Sequence, residues 1–440
     1  MVMTLDQYRN PACAEYVGNI LQHVGQSKNT WLSDSRKKAV KNLSQVGFPT
    51  QHHEGWKYLD ITPIFNVNRQ DGASLFEQGG VVEAATARMN AYAVSNYVLI
   101  NGVWGNKLGK PVVSGTQSYH LSGQTKMSED LRAYLADSVA QEANPVAMAN
   151  GMQFEDGLCL QFEKKAVVDE CTVNVIAYAK DGAAEIFSRI LIVAEEDSQA
   201  KVVIRHLGAG YGSYLDNCVI DVILKERASL DLVLMQDDTA SGTLLSQVNV
   251  HQAKDSNLQW KSFIVNGALS RSQMNINLDG EGAVFDFKGV CTFGQTERHY
   301  QHITVDHFHP LGTSQQVFKS VLGNQAKTEF NSIVYVHRNA QKSQSHQLNR
   351  NLMLSDEAQA YSRPQLKIYA DDVQCNHGAT TGQIDDKELF YLQSRGFSKN
   401  EARHVLIYGF VKEIIQTVPD VEVAKEIETV VSDKLTKLLS

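Results

Sequence analysis

Apolar residues alternate with polar ones at a period of two over much of the chain, as in Cys171-Thr172-Val173-Asn174-Val175-Ile176-Ala177-Tyr178. That period puts successive side chains on opposite faces of a strand, so the stretch from about Asn96 to Asp372 predicts short β-strands. A turn signature precedes many of them. It appears as Glu196-Asp197-Ser198-Gln199-Ala200 before Val202, Glu226-Arg227-Ala228 before Leu230, and Asp255-Ser256-Asn257 before Leu258. It returns as Gly280-Glu281-Gly282-Ala283, Gly323-Asn324-Gln325-Ala326 and Ser355-Asp356-Glu357-Ala358. Counted from Ala200, the residues that end these turns recur after 28, 29 and 26 positions, then after 43 and 32. The first three intervals describe a coil of chain repeating itself. A stack of such coils buries one continuous interior, which is the logic of a β-solenoid. The rival is a β-sandwich, with turns every ~8–12 residues, but the region is long for one sandwich and few helix-period segments interrupt it. A solenoid ends in open sheet edges whose unpaired groups template further pairing, so helical ends or a partner must cap it.

Both ends of the chain switch to the helical period. Ser33-Asp34-Ser35 opens a run through Leu43 that Gly47 and Pro49 stop. Glu54-Gly55-Trp56-Lys57-Tyr58-Leu59 comes next as a compact aromatic patch, which reads as a packing anchor between the N-terminal helices and the chain beyond them rather than a cofactor box. Near the C-terminus, Asp385-Asp386-Lys387-Glu388 and Ser398-Lys399-Asn400-Glu401 each read as a capping box. In the first, Asp385 is expected to accept from the Glu388 amide. Gly396 ends the first of these helices and Pro419 the second, and a third carries Val423, Ile427, Val431 and Leu435; the three can pack a small bundle. The expected organisation is an N-terminal helical region over 1–95, a solenoid core over 96–372 and a C-terminal helical region over 373–440.

Composition narrows the chemistry. The chain is 43% hydrophobic and 20% charged with 30 Gly and 8 Pro, as an ordered globular protein is. A net charge of -8 argues against a phosphate-backbone partner, which favours clustered Lys and Arg. Met1 to Tyr8 shows no basic segment leading into an apolar core, no apolar run reaches the roughly 18 residues that span a bilayer, and the 6 cysteines are scattered. The expectation is a reducing, cytoplasmic setting and no locally written metal site. The only Gly-Lys pair, Gly109-Lys110, is followed by Pro111, so the chain has no ATP site of its own. Hydrolase elbows and zinc-protease helices are absent too, and a non-enzymatic role is expected.

Two groups of residues still invite a metal. His299, His302, His307 and His309 crowd eleven positions, but in a strand 299 and 302 point to opposite faces while 307 and 309 share one, and polar residues lining a sheet face explain such clusters. Cys375 and His377 are two residues apart and share a face if the chain is extended, with Gly378 and Gly382 just beyond. Two ligands cannot close a tetrahedral site, so further groups would come from elsewhere. On residue types alone, a small buried thiol and a hydrogen-bonded turn histidine are the better explanation of the pair.

The wording of this region goes further. Asn349-Arg350-Asn351-Leu352-Met353-Leu354, Pro364-Gln365-Leu366-Lys367-Ile368-Tyr369-Ala370-Asp371-Asp372-Val373, Cys375-Asn376-His377-Gly378-Ala379-Thr380 and Leu389-Phe390-Tyr391-Leu392-Gln393-Ser394-Arg395-Gly396 resemble the SufB/SufD family, scaffold proteins of the Suf iron–sulfur cluster assembly machinery. His377-Gly378-Ala379-Thr380-Thr381-Gly382-Gln383 is similar to the SufD branch, as is Gly47-Phe48-Pro49-Thr50 with Glu54-Gly55-Trp56-Lys57-Tyr58. Asn376 stands where the family usually has Ser, and Asn331 where it usually has Gly. The resemblance implies a right-handed parallel β-helix between helical ends, a heterodimer with a SufB-type subunit, and a SufC-type ATPase docked on the C-terminal helices. It further implies a transient iron–sulfur cluster shared with the partner subunit, held here by His377 with Cys375 in support. For the ATPase, Arg395-Gly396 and the helices bearing Leu406 and Phe410 are the expected dock. A carbohydrate-active solenoid enzyme would want a secretory leader and a row of acids or Arg on one face, neither of them evident. A homodimer built on the solenoid edge remains compatible with the rest.

Overall fold

The computed structural model describes residues 13–24, 29–76, 80–92, 95–105, 108–109, 113–122 and 127–439. Met1 to Tyr8, read above for a leader, lies outside them, as do Lys110 and Pro111. The chain is mainly β: among the described residues there are two ten-stranded sheets, and from Leu158–Phe162 onward consecutive strands fall alternately into them, so each coil gives one strand to each sheet. Along the solenoid, neighbours within a sheet run parallel. In the second sheet Gln199, Ser229, Asn257, Val284, Thr313, Gln344 and Gln374 lie side by side, a step of 27 to 31 residues per coil. About eight turns stack in this way.

The repeat has a backbone cause. Lys165, Asp197, Arg227, Asp255, Gly282, Leu311 and Lys342 all sit at positive φ, between 55° and 71°. Each donates its N–H to a carbonyl one coil on, Lys165 to Glu196, Asp197 to Glu226 and so on to Lys342 with Asp372. One left-handed residue thus turns the chain into the second sheet once per coil. The interval of 43 residues arises because Ala283 lies at this corner and Ala326 at the opposite one, beside Asn324 at φ 49°, which feeds the first sheet. It measures one and a half coils.

Between the sheets lies a core of residues such as Leu230, Leu232, Leu258, Trp260, Phe285 and Phe287. Outside the first sheet the helices Ser33–Val46, Glu129–Gln141 and Pro145–Gln153 pack through Leu43, Leu131, Leu135 and Met148 onto Leu191, Leu215 and Leu245. Outside the second, the helices Lys399–Ile415 and Val421–Leu439 pack through Ile407, Val411, Ile427 and Val431 onto Val203, Val233, Phe263 and Val290. Three expectations change here. The helices cover sheet faces and leave the far edges open, because their apolar stripes match outward-facing Val, Leu and Phe. Helices Glu129–Gln141 and Pro145–Gln153 interrupt the stretch 96–372. The solenoid also runs past 372, since the strand Gln374–Gly382 pairs residue for residue with Gln344–Met353. In addition, Asp385 accepts from the Lys387 amide at 2.8 Å rather than from Glu388, and only Ser398 with Glu401 completes a capping box.

Candidate functional site

The last strand of each sheet, Gln359–Ile368 and Gln374–Gly382, has a neighbour on one side only; the first is mostly half-buried and the second largely solvent-exposed. Cys375 and His377 are both on Gln374–Gly382. They share one face about 6.6 Å apart along the strand, beside Ser345 and Gln347 respectively. Cys375 reaches the edge of the interior core, whereas His377, two residues on, is exposed because no further coil covers it.

Under this rim the interior changes character. The row of the preceding strand that faces it is Ser345, Gln347, Asn349 and Asn351, all buried, where the middle coils carry Leu, Trp and Phe. Gln347 Nε2 donates to Ser332 Oγ at 2.7 Å, and Ser332 Oγ to Gln316 Oε1 at 2.6 Å. Asn351 Nδ2 reaches Thr381 Oγ1 at 3.3 Å and Ser362 Oγ at 3.1 Å, tying the two terminal strands together. The solenoid therefore ends on a polar floor whose bonds link neighbouring strands.

Cysteine burial singles out Cys375. The other five thiols are buried, and burial pushes Cys13 up to about 11 and Cys159 and Cys171 up to about 12. Cys375 is half-buried. Burial raises its thiol as well, but a backbone hydrogen bond at Ser345 opposes the rise. An accessible thiol beside an exposed imidazole offers one soft and one borderline metal ligand. Among the described residues, no group of three or more His, Cys, Asp and Glu side chains is arranged to hold a metal ion, so within this chain the pair is a partial ligand set.

The histidines at 299 to 309 disperse. His299 faces the interior, its Nδ1 2.8 Å from Ser270 Oγ and its ring stacked on Phe318, and burial pulls its pKa down to about 3. His302 lies on the outer face against Glu329. His307 is interior, 2.9 Å from Ser314 Oγ, while His309 is exposed in the turn beyond the strand. The expectation that 307 and 309 share a face fails because the strand ends at His307.

At the C-terminal helices, Arg395 and Gly396 form the exposed end of helix Asp386–Ser394, with Gly396 at φ 96°. Leu406 is half-buried. Phe410 faces the solenoid, where Lys319 Nζ lies 4.9 Å from its ring centroid and 2.8 Å from its carbonyl. Exposed apolar side chains here include Phe390, Tyr391, Phe397 and Val405, the first 71% exposed. The residues chosen above for the dock do not include them, though Leu389-Phe390-Tyr391-Leu392 carries the signal. Four consecutive apolar residues at 100° spacing cannot all face one core.

Fold and rim together define a class: a parallel β-solenoid with helices on both faces and one unpaired end that carries a thiol and an imidazole. Residues 176–410 match the model of the SUF system FeS cluster assembly SufBD core domain, and residues 18–175 that of the SufBD protein N-terminal region. The chain is 23% identical over 407 residues to the iron–sulfur cluster assembly protein SufD of Escherichia coli, covering 90% of this chain and 92% of that protein. It is 28% identical over 306 residues to SufD of Bacillus subtilis, 69% of each chain. The chain belongs to the SufB/SufD family of the Suf system and is of the SufD type.

Proposed function

We propose that this chain is a non-enzymatic scaffold subunit for iron–sulfur cluster assembly, building half of the assembly site and leaving the other half to a SufB-type subunit. The observation that carries this reading is the open solenoid end. Unpaired strand edges there favour β-augmentation by a partner, and the partial ligand set sits on that same rim. His377 is the main cluster ligand and Cys375 supports it. A ligand set split between subunits holds its cargo weakly enough to pass it on, and neutral imidazole is a workable iron ligand.

Energy for the cycle comes from a SufC-type ATPase, and the exposed patch of Phe390, Tyr391, Phe397 and Val405 next to Arg395 and Gly396 is where it docks. No helix among the described residues is long and apolar enough to cross a membrane. Without its partner, the same edge is free to pair with a second copy of this chain.

Co-purification from cells expressing all three subunits tests the assignment. Phe390→Asp with Tyr391→Asp is expected to lose the ATPase and keep the SufB-type subunit. Thr380→Pro, which breaks the terminal strand, is expected to do the reverse. Retention of both partners by both variants contradicts the reading.

A further inference from the structure

Glu54 to Tyr58, the aromatic patch between the N-terminal helices and the solenoid, lies far in sequence from the residues it touches. Its contacts reach three strands of the first sheet, the last of them the terminal one. Trp56 receives the Arg271 guanidinium over its ring at 3.8 Å, on the strand Leu269–Leu278. The Tyr58 carbonyl accepts from Tyr300 Oη at 2.9 Å, on Arg298–His307. Tyr58 then stacks on Tyr361 with ring centroids 3.9 Å apart and 15° between planes, and Glu54 forms an ion pair with Arg363, both on the terminal strand Gln359–Ile368.

Beneath the segment, charge is buried in a line. Arg271 Nη2 is 3.4 Å from His302 Nδ1, and His302 Nε2 is 3.0 Å from Glu329 Oε2, on the strand Lys327–Val336. All three residues are under 5% exposed. Donation from Arg271 to Nδ1 leaves the proton on Nε2, which donates to Glu329. Burial lowers His302 well below its usual range, with Arg271 and Arg363 adding to the effect. Burial also pushes Glu329 up to about 7 against those same two arginines. Burying these groups is costly unless each has a partner, and with water kept off the bonds along the row are stronger; Trp56 lies directly over its arginine. Gly55 passes within 3.9 Å of His302 Nδ1, measured from where a Cβ would stand.

We infer that Glu54–Tyr58 is a strap that clamps the last coil of the solenoid, with Trp56 and Tyr58 as positioning residues for the open end. The terminal strand Gln359–Ile368 has a sheet neighbour on one side only, and Tyr58, stacked on Tyr361, supplies the hold that a further coil would supply elsewhere. Because Ser362 of that strand bonds Asn351, which in turn reaches Thr381, the strap's hold extends to the strand bearing Cys375 and His377. The exposed Glu54–Arg363 pair adds little, so the rings carry the clamp.

The inference rests on the scaffold reading only for its consequence; its test needs neither cluster nor partner. Hydrogen exchange is followed in the full chain for wild type, Trp56→Ala, Tyr58→Ala and Tyr58→Phe. Amides of Gln359–Ile368 are expected to exchange at least tenfold faster in the two alanine variants and at the wild-type rate in Tyr58→Phe, which keeps the stack. Those of Asn257–Asn266 in the second sheet should be unchanged throughout. Wild-type exchange of Gln359–Ile368 in both alanine variants overturns the strap, and so does equal acceleration in both strands.

Discussion

Leu311 holds φ 62° at an exposed corner where the equivalent residue of the coil before is Gly282 and others are Asp255 and Asp197. A bulky L-residue in that region costs about 1–2 kcal/mol, while Asn tolerates it. Leu311→Asn keeps the N–H that bonds Gln341 O and is expected to raise stability by about 0.5–1 kcal/mol, read as a higher urea midpoint. A lower midpoint would show that the leucine side chain contributes packing that outweighs the strain. The identities of such corner residues gave no warning of the conformation, because Arg227 and Lys342 hold it as well. At this scale Cys375 and His377 were legible as a pair, since two residues in a strand share a face. What placed them on an uncovered rim was the absence of a further coil beyond them, which no residue type encodes.

At the scale of elements, docking of the C-terminal helices rests on more than their apolar stripes. Lys434, on Val421–Leu439, puts Nζ 2.7 Å and 2.6 Å from the two carboxylate oxygens of Glu297 and 3.0 Å from Asn266 Oδ1, with both charged side chains nearly buried. Removing one member of such a pair strands the other. Lys434→Ala is therefore expected to cost about 2–3 kcal/mol in urea unfolding, and Lys434→Ala with Glu297→Ala less than the two single losses summed. A loss below about 0.5 kcal/mol for Lys434→Ala would mean that the apolar stripe alone holds the helix.

Helix signals were partly readable. Ser398 with Glu401 caps as its spacing requires, and Gly47 ends its helix at φ 66° with its N–H on Leu43 O. The two helices inside the core stretch had signals too, in Ser128, which caps through the Leu131 amide, and in Asn144-Pro145. Their apolar positions blend into the strands around them, so period alone did not separate them. The solenoid repeat was legible where successive turns fell at one corner, and it broke where the turn signature moved to the other.

Across the whole molecule, the reach of the strap was the least legible feature. Trp56 and Tyr58 announce packing, but that their partners are Arg271 and Tyr361 depends on how coils stack. The side on which the C-terminal helices lie was hidden for the same reason, and Phe410, which the family resemblance suggests for a docking surface, faces Lys319. The family wording was legible because it is local. That a cluster is held between subunits at this open end is tested most directly by anaerobic reconstitution of the cluster on the assembled complex. Visible absorption of the bound cluster is compared among wild type, His377→Ala and Cys375→Ala. His377→Ala is expected to lose most of that absorption while keeping its partner subunits, with a smaller loss for Cys375→Ala; wild-type absorption in His377→Ala would contradict the shared-ligand reading.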